Sequence, residues 1–289
     1  MNNRLLTRKL TISGSVVELL EFSPVTRKNH RTFNPDELEK RKETKRLYNA
    51  GIETPDKDKT ASSVARSKAS VRRIVYANAW AWKDKNGYII PPKFFTLTFK
   101  ENIQDLKTAN RFLSEYIQKL NYRFKPILAQ PLKYVCVPEF QQRGAIHYHI
   151  VLFNFPFMDH VFKKLRDAWG GDRIHLKTIQ RKSDVHDVTF YVSKYITKQA
   201  IDGRFWGQKR YFASRDIKKS VILKDDIAIE MVCQVIQPYE RYKTVYNVPY
   251  CGDVRYWSYY LGEKRNIYSL PLLSYAREQI ALAEKSKKS

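Results

Sequence analysis

The chain lacks the features that would place it outside a reducing cytoplasm or in a membrane. Its three cysteines, Cys136, Cys233 and Cys251, form no CxxC pair and are an odd number, so we expect ordinary buried or free thiols. The first 22 residues contain no continuous apolar core of the signal-peptide type. No run approaches the roughly 18 apolar residues of a membrane span. We therefore expect a cytoplasmic protein.

Acidic residues are scarce as well, and the motif of a nucleotide-driven motor is missing. The sequence contains no GxxxxGK[ST] stretch and no internal repeat, which excludes a recognisable P-loop ATPase. The 29 Asp and Glu face 53 Lys and Arg, a formal net charge of +24. An excess of this size predicts attraction to polyanions. The alternative is a basic but inert surface.

Aromatic residues, by contrast, are plentiful. They make up 13% of the chain and include 19 tyrosines, many of them between basic residues. Rings stack on unpaired bases while Lys and Arg follow the phosphates, so single-stranded nucleic acid is the leading partner. The alternative interpretation is a set of Tyr-rich strands that pack within the protein.

The pattern of apolar residues divides the chain into three parts. Residues 1–60 are charged and interrupted by prolines and a glycine, and we interpret them as an N-terminal appendage with a helix starting near Asp36. Residues 61–222 hold the strongest periodic segments. Residues 223–289 predict a helix at 225–236 followed by short Tyr-rich strands.

The central part predicts an α+β fold with a mainly antiparallel sheet and flanking helices. After a first helix from Ser62 or Ser63, its elements follow the order β-α-β-β-α-β-α. Adjacent strands with short connections favour antiparallel pairing. The predicted strands are 93–100, 132–140, 145–154 and 173–180, and the later helices lie near 158–168 and 184–200.

Two of the six histidines stand one residue apart in the apolar stretch "GAIHYHIVLFN". On a strand, alternate side chains share a face, so His147 and His149 point the same way while Tyr148 points to the other face. Two imidazoles on one rigid strand suit a divalent metal ion. A third ligand would come from Glu139, provided that the hairpin register is right. The alternative is a pair of surface histidines; the other four lack such partners and are expected to be structural or solvent-facing.

A second cluster lies in "DVTFYVSKYITK", residues 187–198. At 3.6 residues per turn, one stripe of the predicted helix is apolar and another carries tyrosines alternating with lysines. We therefore expect the tyrosines to lie away from the core stripe; the alternative is ordinary packing. A tyrosine hydroxyl can attack a phosphodiester when a lysine stabilises the phenolate and a metal ion polarises the phosphate. The apolar stripe is Val185, Val188, Val192 and Ile196, and the other is Tyr191, Lys194, Tyr195 and Lys198.

With these motifs in this order, the sequence resembles the HUH endonuclease superfamily, in particular the rolling-circle replication initiators of phages, plasmids and integrative elements. The resemblance is carried by "FFTLTF", "VPEFQQRG", "GAIHYHIVLF" and "YVSKYITK" and covers roughly residues 62–222. It implies that 61–222 form the nuclease domain. Tyr148 stands where relatives carry an aliphatic residue.

The resemblance implies a metal-dependent, site-specific nick in single-stranded DNA that leaves a 5′-phosphotyrosine and a free 3′ hydroxyl. By the family pattern His147 and His149 bind Mg²⁺ or Mn²⁺, with Glu139 as third ligand. Tyr191 would be the first nucleophile and Tyr195 the second, used in turn. Lys194 would position the phosphate or the metal ion.

The resemblance also implies partners: single-stranded or supercoiled origin DNA, a helicase and a polymerase of the bacterial host, in whose cytoplasm the protein would act. Expected DNA contacts are Lys198, Arg143 and the basic side of the first helix, with Arg72 and Arg73, which could equally be a solvated face. Three alternatives stay open. They are a mobilisation relaxase, a transposase of the same superfamily, and a non-catalytic single-strand-binding protein.

Overall fold

Two antiparallel five-stranded sheets with six described α-helices make the chain an α+β protein in this computed structural model. It describes residues 8–22, 57–156, 160–169, 174–179, 182–199, 202–205, 208–248, 252–262 and 265–286. In chain order the elements are β1 (Arg8–Ser13), β2 (Val16–Phe22), α1 (Lys57–Asn78), β3 (Lys93–Thr98), α2 (Leu106–Arg123), β4 (Tyr134–Phe140), β5 (Ile146–Leu152), α3 (Val161–Trp169), β6 (Ile174–Thr178), α4 (Lys182–Lys198), β7 (Phe212–Ala213), β8 (Val221–Leu223), α5 (Asp226–Ile236), β9 (Glu240–Val248), β10 (Gly252–Tyr260) and α6 (Ser274–Lys285).

The chain divides into two compact units. Unit 1 combines residues 1–62 with 220–289, and unit 2 is the continuous stretch 63–219. Unit 1 holds a sheet of order β8-β1-β2-β10-β9, and unit 2 holds a sheet of order β6-β3-β5-β4-β7. Within each sheet, every paired strand runs antiparallel to its neighbour.

The sheet of unit 2 is covered by helices on both faces. Large apolar side chains of α2 and α3, among them Leu113 and Trp169, pack with Phe95, Tyr148 and Ile150 on one face. The opposite face packs against α1 and α4, and its buried residues are Val64, Val71, Val75, Phe94, Val135, Val137, Val151, Val185, Val188, Val192, Tyr195 and Ile196. Because β3, β4 and β5 are covered on both sides, their sequences are nearly continuous apolar runs.

The predicted antiparallel sheet and the order β-α-β-β-α-β-α in the central part are confirmed. The QQRG turn between β4 and β5 is confirmed too: Gly144 has φ +86°, and a Cβ there would come within 3.0 Å of the Gln104 side chain. The predicted C-terminal helix is α5. The strands after it, β9 and β10, each have 9 residues. Among the described residues, no helix is long and apolar enough to cross a bilayer.

Unit 1 contains strands that the sequence analysis did not anticipate. Leu10 and Ile12 of β1 and Val17 and Leu19 of β2 lie in a core with α5 and α6. β1 pairs with β8, and β2 pairs with β10. The sequence analysis separated the two ends of the chain, whereas here they share one sheet, because only joint pairing buries the apolar face of the β1–β2 hairpin. The helix expected near Asp36 lies outside the described residues.

Candidate active site

The two histidines of β5 point toward the helix that carries the tyrosines. All seven residues of β5 are buried, and their side chains alternate between the two faces of the sheet. Tyr148 points toward α2, where its hydroxyl lies 2.6 Å from Oδ1 of Asn110. His147 and His149 point to the α1 and α4 side, so the predicted shared face is confirmed. His160, His175 and His186 are exposed, as expected for histidines without such partners, and His30 lies outside the described residues.

Glu139 of β4 lies directly opposite His147 in the hairpin register. One carboxylate oxygen, Oε2, is 2.8 Å from Nε2 of His149. The other, Oε1, accepts a hydrogen bond of 2.6 Å from Nζ of Lys198 on α4. The hairpin thus gives Glu139 the place beside the histidines that the sequence analysis required of it.

Two residues of β3 complete the surroundings of His149, and the sequence analysis assigned them no role. Oγ1 of Thr96 lies 3.1 Å from Nδ1 of His149, and Thr96 is its partner in the β3–β5 register. Phe94 stacks on the same imidazole with ring centroids 6.2 Å apart. The available signal was the alternation in "FFTLTF", which puts Phe94 and Thr96 on one face.

Burial and charge set the protonation of this cluster. Burial, with smaller contributions from the nearby His149 and Arg143, lowers the pKa of His147 to about 4. Burial also lowers the pKa of His149, against the opposing effect of its hydrogen bond with Glu139. Burial would raise the pKa of Glu139, but its hydrogen bonds with His149 and Lys198 outweigh this and lower it. At neutral pH the cluster therefore holds two neutral imidazoles and one carboxylate.

This donor set fits a divalent cation. As the side chains stand in the described part of the chain, no three His, Cys, Asp or Glu groups form a complete metal site. However, Nε2 of His147 is buried and has no hydrogen-bond partner among the residues that the structure describes. The 2.8 Å between Nε2 of His149 and Oε2 of Glu139 is close to the spacing of neighbouring ligands around an ion with bonds of about 2.1 Å. Neutral imidazole and carboxylate are the protonation states that metal binding requires.

Helix α4 presents its two tyrosines to His149 in different ways. The ring of Tyr191 is 43% exposed, and its centroid lies 6.0 Å from that of His149 in an edge-to-face arrangement. The ring of Tyr195 is only 6% exposed and stacks on the imidazole at 3.6 Å with an interplanar angle of 9°. The two phenol groups are hydrogen-bonded to each other, and burial followed by this bond raises the pKa of Tyr195 strongly.

The expectation that both tyrosines lie away from the core stripe is wrong for Tyr195. It belongs to the same buried cluster as Val188, Val192 and Ile196. The physical reason is that α4 packs on a sheet whose face carries polar histidines, so the buried sector of the helix is wider than its apolar stripe. The stripe itself is confirmed.

The predicted basic residues surround this cluster unequally. Lys194 is exposed on α4. Lys198 is exposed too, and it bonds to Glu139 while its Nζ lies 5.1 Å from the centroid of the Tyr195 ring. Arg143 is exposed in the turn before β5, close enough for its charge to act on His147. On α1, Arg72 is exposed and Arg73 is half-buried.

Comparison with known proteins points to DNA replication. Residues 92–200 match the model of a family described as Replication-associated protein ORF2. The match covers less than half of the chain, but it runs from β3 through α4 and so includes Glu139, both histidines and both tyrosines. The narrower resemblance to HUH endonucleases remains a prediction from the motifs.

A second similarity is much weaker. The crystal structure of the hypothetical protein ORF119 from Sulfolobus islandicus rod-shaped virus 1 aligns with 44% of this chain and 91% of its own, at 15% identity and a TM-score of 0.30. A likeness of this extent assigns neither fold nor function. No curated protein matches the chain.

Proposed function

We propose that this protein initiates rolling-circle replication by nicking and rejoining single-stranded origin DNA through a covalent 5′-phosphotyrosine. The observation that carries the proposal is the exposed ring of Tyr191, 6.0 Å from the ring of His149, beside a cluster of two imidazoles and a carboxylate. The match of residues 92–200 to a replication-associated family supports it.

The reaction is a transesterification that needs no external energy source. The phenol oxygen of Tyr191 forms a bond to phosphorus, and the bond from phosphorus to the 3′ oxygen breaks. The proton leaves the phenol and the 3′ oxygen gains one, so the products are a 5′-phosphotyrosine and a free 3′ hydroxyl. Joining is the reverse step, in which a 3′ hydroxyl attacks the phosphotyrosine.

The histidines and Glu139 would hold a divalent ion, Mg²⁺ or Mn²⁺. Such an ion would stabilise negative charge on the non-bridging oxygens of the scissile phosphate. Lys194 lies one helical turn from Tyr191, where its ammonium group would stabilise the developing charge.

The DNA strand would be bound by basic residues around the cluster. Lys198, Arg143, Arg72 and Arg73 are the proposed phosphate contacts, since each carries positive charge on the unit that holds the histidines. Helicase and polymerase of a bacterial host are the proposed partners, because the sequence carries no P-loop motif of its own.

Labelled oligonucleotides that tile the parent replicon test this function. We expect that, with Mg²⁺ or Mn²⁺ and after boiling in detergent, a 3′-labelled strand stays attached to the protein, whereas a 5′-labelled strand is released as a shorter product. Tyr191→Phe should lower adduct formation by at least 100-fold. The control is Tyr122→Phe, whose ring is 86% exposed on α2 and whose adduct yield should equal that of the wild type.

An unchanged yield in Tyr191→Phe would reject this nucleophile. A wild-type protein that binds the oligonucleotides but forms no adduct on any of them would identify a single-strand-binding protein instead.

A further inference from the structure

The second tyrosine of α4 occupies a place unlike that of a nucleophile. Within unit 2 the Tyr195 ring is covered on one face by His149, at a centroid distance of 3.6 Å. The edge-to-face ring of Tyr191 lies 5.0 Å away, and Nζ of Lys198 lies 5.1 Å from the ring centroid. Only 6% of Tyr195 is exposed. A phosphate could reach its hydroxyl only if the ring left this stack.

The same contacts link Tyr195 to every group of the cluster. Its ring fixes the plane of the His149 imidazole, and its hydroxyl is hydrogen-bonded to that of Tyr191. Lys198 beside the ring also binds Glu139 at 2.6 Å, and Glu139 contacts His149 at 2.8 Å. The contacts form a closed circuit, so a displacement of Tyr195 would disturb both the metal-ligand candidates and the exposed tyrosine.

We propose that Tyr195 is a positioning residue that orients His149 and Tyr191, and that each chain has Tyr191 as its single nucleophile. This inference rests on the proposed function, and it replaces alternation between two tyrosines with a division of labour. One chain then makes one covalent adduct at a time and resolves it by attack of a 3′ hydroxyl on Tyr191.

Mapping the adduct by mass spectrometry is the first test. After reaction with the nicking substrate, and again with a substrate that supplies a 3′ hydroxyl for joining, we expect DNA on Tyr191 alone. The Tyr191→Phe variant should carry no adduct at Tyr195 under either condition. An adduct at Tyr195 in the wild type or in Tyr191→Phe would overturn the inference but leave the proposed function intact. A wild type with no adduct on any tyrosine would overturn the proposed function itself.

Two substitutions at Tyr195 separate its ring from its hydroxyl. Tyr195→Phe keeps the stack on His149 and should slow single-turnover nicking about fivefold, the size of one neutral hydrogen bond. Tyr195→Leu removes the stack as well and should weaken Mn²⁺ binding, measured by calorimetry without DNA, about 10-fold or more. Tyr195→Phe should bind Mn²⁺ as the wild type does.

The readout by metal binding distinguishes positioning from general support of the fold. Tyr195→Phe serves as the rescue of Tyr195→Leu, and Tyr191→Leu is the matched control on the exposed ring. Equal Mn²⁺ affinity for the wild type and Tyr195→Leu would overturn the positioning of His149. Nicking by Tyr195→Phe at the wild-type rate would overturn the positioning of Tyr191.

Discussion

At the scale of single residues, His149 is the most constrained side chain of the site. Thr96 lies at its Nδ1, Glu139 lies at its Nε2, and Tyr195 covers one face of its ring. An imidazole held at both nitrogens and on one face has little freedom to rotate. Such outer contacts fix the tautomer and orientation of a ligand histidine.

Thr96→Val tests the contact at Nδ1. Valine keeps the β-branched shape of threonine on β3 but cannot hydrogen-bond His149, so the imidazole loses one of its two polar contacts. We expect metal-dependent nicking to fall roughly 10-fold, with the circular dichroism spectrum unchanged. Nicking rates measured against Mn²⁺ concentration report this effect.

The control for Thr96→Val is Thr98→Val. Thr98 lies on the same strand and the same face, and in the described part of the chain it makes no hydrogen bond to His149. Its valine variant should nick as the wild type does. Equal losses in both variants would show that the strand, rather than the contact to Nδ1, is sensitive.

The sequence predicted the identity of the site residues better than their surroundings. The spacing of His147 and His149 fixes their shared face, and a short hairpin brings Glu139 beside them. The role of Thr96 depends on the register between β3 and β5, which are separated by a helix and another strand, so no local pattern specifies it. The burial of Tyr195 could not be predicted either, because it depends on which sector of α4 meets the sheet.

At the scale of elements, α4 is the part that brings the nucleophile to the sheet. Its apolar residues Val188, Val192 and Ile196 are buried against the sheet face that holds His149. Tyr191 and Tyr195 follow from this packing, since their directions are fixed once the apolar stripe is seated. The stability of the helix packing and the geometry of the site are therefore linked.

Ile196→Val and Ile196→Ala test that link. Ile196 is fully buried, so valine should reduce the free energy of unfolding by about 1 kcal/mol and alanine by about 2–5 kcal/mol. Urea denaturation measures both losses. Thr197→Ala, at the next and exposed position, should leave the unfolding free energy within about 0.5 kcal/mol.

Nicking per folded molecule should decrease in the same order, with valine close to the wild type and alanine clearly lower. Alanine at position 196 with wild-type nicking and wild-type stability would contradict the proposed seating of α4.

The sequence also predicted elements unequally. Long periodic segments such as α2 and α4 were predicted from their apolar spacing alone. The β1–β2 hairpin was missed although "KLTIS" and "VVELLEF" alternate around Gly14, which has φ +61°. Its partners β8 and β10 lie at the other end of the chain, and pairing over such a separation leaves no local signal.

At the scale of the whole molecule, the positive charge is concentrated in unit 2. Residues 63–219 contain 30 of the Lys and Arg but only 12 of the Asp and Glu. The remaining residues, those of unit 1, are much closer to balance. Polyanion attraction therefore belongs to the unit that carries His147, His149 and the tyrosines, and the less basic unit is a poor candidate for the main DNA contact.

The salt dependence of single-strand binding tests this distribution. Each phosphate contact contributes roughly 0.7 to the slope of log K against log salt for a single strand. Arg72→Gln, on the exposed side of α1, should reduce the slope by about that amount. Arg241→Gln, equally exposed but in unit 1, should leave it unchanged. Fluorescence anisotropy at several salt concentrations measures both, and the reverse result would move the DNA contact to unit 1.

The discontinuous composition of unit 1 has a consequence for synthesis on the ribosome. Its β1–β2 hairpin is translated first, but the partners of that hairpin begin at Val221, after every residue of unit 2. At about 5–20 residues per second, translation of the roughly 200 intervening residues takes on the order of 10–40 s. The nascent hairpin therefore waits with an uncovered apolar face, while the inserted unit, which needs no later residue, completes its own folding before the chain is released.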